Sequence, residues 1–138
     1  MNTLKLFALS LVACFTMSAQ AVETFQLQAN SNSEVVQPLA TQYHSYYFGI
    51  NWIHFRQVVR FNVQNTGTEP LTGARATISG HGYNAVHSCT GVVMPGQRCW
   101  FEISYWPLFE GVHYGRFILS FVENSNIVVD VWGEARRF

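Results

Sequence analysis

Charge is scarce in this chain, and Lys5 is its single lysine and Asp130 its single aspartate. With no basic run, it carries no electrostatic footprint for nucleic acid. Long apolar runs are equally scarce. One lies near the N-terminus, and no other reaches the length that spans a bilayer. From Val22 onward no stretch of helix length is amphipathic at a 3.6-residue period. The sequence has no internal repeat, no low-complexity linker and no G-x-S-x-G elbow, which leaves a serine hydrolase without its activated nucleophile. Cysteine occurs at three positions, Cys14, Cys89 and Cys99.

The N-terminal apolar run extends from residue 6 to residue 17, broken by Ser10 and Thr16, with Lys5 ahead of it and Ala19-Gln20-Ala21 behind it. Positive start, short apolar stretch and small-x-small end make residues 1–21 a bacterial signal peptide. The run is about a dozen residues, too short to cross roughly 30 Å of hydrocarbon. Leu11-Val12-Ala13-Cys14 also reads as a lipobox. Periplasmic or secreted release is therefore the first expectation, and an envelope lipid anchor through Cys14 the second. The short apolar stretch before Cys14 and the bulk of Phe15 favour the first. Cleavage after Ala21 leaves 117 residues, with seven arginines against eight acidic groups. That length suits one domain without a transmembrane span, burying about two-thirds of its unfolded surface.

In an oxidising compartment Cys89 and Cys99 are expected to form one disulfide. The closed loop would stabilise the fold by roughly 2.5–3 kcal/mol on the chain-entropy argument. Around it, short apolar and β-branched runs alternate with Gly, Pro and Asn, the mark of an all-β sandwich. Strands are predicted over 24–29, weakly over 34–38, and over 44–48, 56–64, 74–79, 83–89, 98–105, 115–122 and 127–133. Asn65-Thr66-Gly67 and Met94-Pro95-Gly96 read as turns. Inward positions include Val59, Phe61, Val63, Phe101, Ile103, Tyr105, Phe117, Leu119, Val129 and Val131. In the last hairpin both inner sets face one core, so the loop has an odd number of residues. A loop over 123–125 sets Arg116 beside Trp132 and Ile118 beside Asp130.

From Phe48-Gly49 onward the spaced features resemble a hydin-like immunoglobulin-type domain of the ASH or choice-of-anchor D kind. They are Asn65-Thr66-Gly67, Pro70-Leu71, Ile78-Ser79-Gly80, Tyr83, Cys89, Pro95-Gly96 and Cys99. Tyr105-x-Pro107-x3-Gly111, Gly115-x-Phe117-x-Leu119 and Val129-x-Val131-x-Gly133 complete the series. Trp52-Ile53-His54-Phe55 departs from it, standing where the family has small residues and a glycine. The resemblance implies an immunoglobulin-like β-sandwich of about seven strands over residues 43–138. Residues 22–42 precede it as an arm or an extra edge strand. It also implies an adhesive, scaffolding or localisation role, an implication of fold rather than of chemistry.

His44, His54, His81, His87 and His113 invite a metal, but no cysteine or aspartate completes a tetrahedral set at familiar spacing. They read instead as solvated or edge histidines. Glu102 and Glu110 are the available carboxylate pair, with nothing in the sequence to hold them together. No cofactor and no catalysis are expected. Trp52, Trp100, Trp106 and Trp132, with Arg116, are the candidate partner-binding residues, because exposed tryptophan buries large area at low entropy cost. The leading expectation is a non-catalytic binding module for a protein or envelope polymer, acting through these aromatics or a free sheet edge. A structural subunit that self-associates by adding its arm to a neighbour's edge is the second. A small envelope enzyme or enzyme inhibitor is the third.

Overall fold

The computed structural model describes residues 23–28 and 40–138. The expected signal peptide, Cys14 and the weak strand expected at 34–38 lie outside the described residues. Among the described residues ten strands follow in order: β1 Glu23–Leu27, β2 Ala40–Trp52, β3 Gln57–Asn65, β4 Leu71–Thr72, β5 Arg75–Ser79, β6 Tyr83–His87, β7 Val92–Val93, β8 Arg98–Tyr105, β9 Gly111–Ser120 and β10 Ser125–Arg136. They form a first sheet β1-β3-β8-β6, a second sheet β2-β10-β9-β5, and a two-stranded ribbon β4-β7. This is the expected sandwich, with β1 and the ribbon added to its main strands. Among the described residues no helix is long and apolar enough to cross a membrane.

The two-residue rhythm sets the core. Val59, Phe61 and Val63 on β3 and Phe101, Ile103 and Tyr105 on β8 are buried, and meet Phe117, Leu119, Val129 and Val131 from the second sheet. Phe101 lies at the centre, stacked on Phe61 at 5.0 Å and on Phe117 at 4.4 Å. Such offset aromatic pairs add about 0.5–1.5 kcal/mol beyond the area they bury. The Cys89–Cys99 disulfide, with Cα atoms 5.1 Å apart, ties the residues after β6 to the start of β8. Gln97 N donates to Met94 O at 2.9 Å, closing the predicted Pro-Gly turn.

Two strands pair in parallel with partners far along the chain. β1 runs beside β3 and places Phe25 and Leu27 in the core, so part of segment 22–42 belongs to the chain's own first sheet. β2 runs beside β10 and is thirteen residues long, well beyond the expected 44–48. The last hairpin differs from expectation by one step. Its loop does hold three residues, but Phe121 N bonds Ser125 O, so the loop is 122–124. Asn124 takes a positive φ of 59°, which Asn tolerates better than most residues. Arg116 therefore faces Asp130, and Trp132 faces Tyr114.

Asn65, expected as a turn residue, is a fully buried junction. Its Nδ2 donates to Glu69 O at 2.8 Å and Val93 O at 2.9 Å, while Oδ1 accepts from Gly67 N at 3.0 Å. The side chain thus joins β3 to the ribbon. Glu123 fastens the other side of that ribbon by accepting from the Thr72 amide at 2.9 Å and from its hydroxyl. Burial alone would raise the Glu123 pKa, but the Thr72 bonds outweigh it and hold it below the ordinary value.

Candidate functional site

Alternation sends every second residue of the second sheet outward, and many of those positions are apolar. Tyr47, Trp132 and Tyr114 form one row across β2, β10 and β9. The Tyr47 and Trp132 rings stack at 5.4 Å and 17°, and Tyr114 is 72% exposed. The next row is Ile50, Glu134 and Val112, followed by Trp52 beside Arg136. Glu134 and Arg136 pair at 3.0 Å, so the charge within this face is internally neutralised.

A strict two-residue rhythm could not put Tyr47, Ile50 and Trp52 on one face. A bulge does so. Tyr47 pairs with Trp132 but Ile50 pairs with Glu134, so β2 carries one extra residue. Gly49 sits in it at φ +82°, a conformation open to glycine without strain. Across the bulge Gly133 meets the core, where an added Cβ would stand 2.6 Å from the Tyr105 ring. The resulting apolar surface reaches the end of the sandwich. There Trp52 stacks on Phe138 at 4.6 Å and Phe55 meets Phe138 edge-on at 5.9 Å. His54 holds φ +68° in the turn between Trp52 and Phe55. His54 N donates to Pro107 O at 2.9 Å, joining this turn to the one after β8.

Beneath that end lies a buried polar cluster. Tyr83 Oη donates to His113 O at 2.8 Å, and Tyr105 Oη is hydrogen-bonded to His113 Nδ1 at 2.7 Å. Burial, reinforced by Glu134, pushes Tyr105 up to about 12. Burial first and Tyr105 second raise Tyr83 further. His113 is 6% exposed, and its Nε2 has no partner among the described residues. Burial, then the neighbouring His81, lowers its pKa, so the neutral ring is favoured. His113 is thus a core residue, and His44 lies edge-on to Phe25 at 5.7 Å, so neither is a merely solvated histidine.

The candidate aromatics fall in three places. Trp132 and Trp52 share the apolar face. Trp106 lies in the turn between β8 and β9. Trp100 sits on the first sheet beneath the Arg60 guanidinium, 4.2 Å from its ring centroid. The expected Arg116–Trp132 stack does not form, because the hairpin register gives Arg116 to Asp130 at 2.7 Å and Trp132 to Tyr47. Tyr43, Tyr47, Tyr114 and Phe138 were missed, although alternation through β2 would have marked Tyr43 and Tyr47. The two candidate carboxylates are engaged elsewhere, Glu102 with Arg60 at 2.6 Å and Glu110 with Arg137 at 4.0 Å. Among the described residues no three His, Cys, Asp or Glu side chains come together as a metal set.

The arrangement is that of an immunoglobulin-like, PapD-like sandwich with an aromatic outer face. No protein-family model matches the chain, and no curated protein matches it in sequence. Solved structures do match. PapD-like domain 7 of human CEP192, an ASH domain, aligns with a TM-score of 0.56 at 10% identity, covering 78% of this chain and 94% of that one. A family 123 glycoside hydrolase from Clostridium perfringens gives 0.55 at 9% identity, over 69% of this chain and 23% of that one. The VesB protease of Vibrio cholerae gives 0.52 at 13% identity, over 66% and 30%. The chain spans less than a third of either enzyme. At such identities the likeness is one of fold.

Proposed function

We propose that this chain is an exported, non-catalytic binding module of the hydin-like type that engages a protein or envelope polymer through the outer face of its second sheet. The observation that carries this reading is the Tyr47–Trp132–Tyr114 row, continued past the Gly49 bulge by Ile50, Val112 and Trp52. Large contiguous apolar surface on a folded domain marks an interaction site more often than an accident of packing. The carboxylates support the non-catalytic part. Glu102, Asp130 and Glu134 are each paired with an arginine, and Glu123 is bound to Thr72. The leader at residues 1–21 supports release to the periplasm or beyond, with anchoring through Cys14 as the competing destination.

Self-assembly by strand exchange is the second reading. β1 already fills an edge of its own first sheet with Phe25 and Leu27 buried, so exchange requires that strand to leave.

The test is retention on isolated bacterial envelopes, compared between the wild-type chain and a Trp132→Ser/Tyr114→Ser variant. The expected result is a loss of about tenfold or more, equivalent to about 1.4 kcal/mol of contact energy, with the thermal midpoint little changed. Equal retention of both proteins would refute the face as the contact. A sedimentation series over concentration separates self-association, which would appear as a mass that grows with concentration.

A further inference from the structure

We propose that a second site, beside the turn after β8, binds an acidic saccharide unit. It is an open cleft of about 580 Å³ between β6 and the turn after β8, lined by Arg56, Asn84, Ser104, Trp106 and Leu108. That volume suits a ligand of one or two sugar rings. None of these residues belongs to the aromatic row on the second sheet.

The walls are held before any ligand arrives. Trp106 N donates to Gly82 O at 2.7 Å, and Leu108 N donates to His81 Nε2 at 3.3 Å. Tyr83 stands behind them, its hydroxyl tied to His113 O. A preformed site spends less binding energy on ordering. Trp106 is 51% exposed and offers a flat apolar surface to a ring.

The polar groups lining the cleft have donors that are free or only weakly engaged. Arg56 has no ion-pair or hydrogen-bond partner among the described residues. The Asn84 side-chain Oδ1 accepts from Ala85 N at 2.9 Å, leaving Nδ2 to donate. The Ser104 hydroxyl donates to Asn84 O at 3.4 Å, a long bond that a better acceptor can replace. The nearest carboxylate lining the adjoining surface, Glu102, is taken by Arg60. A complementary ligand is therefore rich in acceptors, carries an anionic group for Arg56 and has a flat apolar side for Trp106. A sugar ring with a carboxylate has all three.

An extended peptide fits less well. To add along β6 it would need that strand's outward amides. Two of these, Tyr83 N and Ala85 N, already donate to Gly80 O and Asn84 Oδ1, and just past the strand Cys89 N donates to His87 Nδ1. The free-edge mode of contact is thus blunted here, and recognition falls to side chains.

Titration of the purified chain with hexameric oligogalacturonate, oligomannuronate and hyaluronan oligosaccharide tests the assignment, read by calorimetry and tryptophan fluorescence. At least one should bind with a sub-millimolar Kd. Trp106→Ala and Arg56→Gln should each weaken it about tenfold, and methyl esterification of the same oligosaccharide should do likewise. Near-ultraviolet circular dichroism checks that both variants remain folded. Failure of all three probes to bind overturns the proposal, as does binding that neither variant weakens. Poly-glutamate binding as tightly as the sugars would show that the ring is irrelevant, and would equally overturn it. Trp132→Ser/Tyr114→Ser should leave saccharide binding unchanged, so this site and the aromatic face succeed or fail separately.

Discussion

On the outer surface of β3 and β8, Arg60 reaches across the strands to Glu102 at 2.6 Å and covers the Trp100 ring from 4.2 Å. On the outer surface of β2, β10 and β9, Tyr47 and Trp132 stack while Tyr114 stands beside them in water. The same alternation builds both surfaces, and both carry a tryptophan at an outward position. The difference lies in what covers it. A guanidinium turns Trp100 into part of a polar skin, worth about 0.5–1 kcal/mol as a cation–π contact. A neighbouring tyrosine widens the apolar area around Trp132 instead. Outward placement of tryptophan therefore identifies a contact surface only together with the cross-strand neighbour, which register decides.

The strongest perturbation of this comparison is removal of the bridge. Replacing Cys89 and Cys99 with serine should lower stability by about 3 kcal/mol in urea unfolding. Below the new midpoint, binding through the second sheet should persist, since the bridge belongs to the other side of the sandwich. Asn65→Ala comes next, with a loss of about 2–3 kcal/mol, because the Val93 and Glu69 carbonyls lose their buried donor. Arg60→Ala should cost about 1 kcal/mol and leave Trp100 with a red-shifted emission as its cover goes. Arg116→Ala, by contrast, should leave the unfolding midpoint unmoved, since its partner Asp130 is a surface acid. Equal effects from the two arginines would erase the distinction drawn between the faces. His54→Gly is also a small change. Relief of the left-handed backbone and the greater entropy of unfolded glycine nearly cancel, leaving about half a kcal/mol or less in thermal unfolding.

Acidity acts on the end of the sandwich rather than on either face. His113 has a lowered pKa in the fold, so below its ordinary value of about 6.5 the unfolded chain takes up a proton that the folded chain refuses. Stability is therefore fully present above that pH and declines as pH falls through the folded value. Tyr83 and Tyr105 act in the opposite direction. Their raised values mean that stability is lost as pH rises past about 10, where the unfolded tyrosines ionise first. A His113→Gln variant should flatten the acid side of a stability profile measured between pH 5 and 8.

Much of the sandwich was legible because its signals are local. Phe61 and Phe101 face inward by alternation within their own strands, and the Pro-Gly turn and the cysteine pair declare themselves within a few residues. The face was less legible because it depends on partners. Tyr47 meets Trp132 through a parallel pairing of distant segments that no local rule supplies, and Trp132 meets Tyr114 only once the hairpin register is right. The hairpin was misplaced by one residue although Asn124, a residue suited to positive φ, marked the correct loop. Asn65 read as a turn residue because its buried acceptor, Val93 O, lies 28 residues away.

The parallel pairing of β2 with β10 also constrains the order in which this chain can be completed. Ala40 finds its partner at Ser125 and Trp52 at Arg136, so an early strand waits for nearly the last. Until that final strand arrives, β2 and β9 flank an empty seat, and apolar side chains destined for the interior remain in water. Contacts of such long separation close slowly. A chain halted before residue 125 should bind hydrophobic dyes and resist no protease, and the finished sandwich should form in one late step.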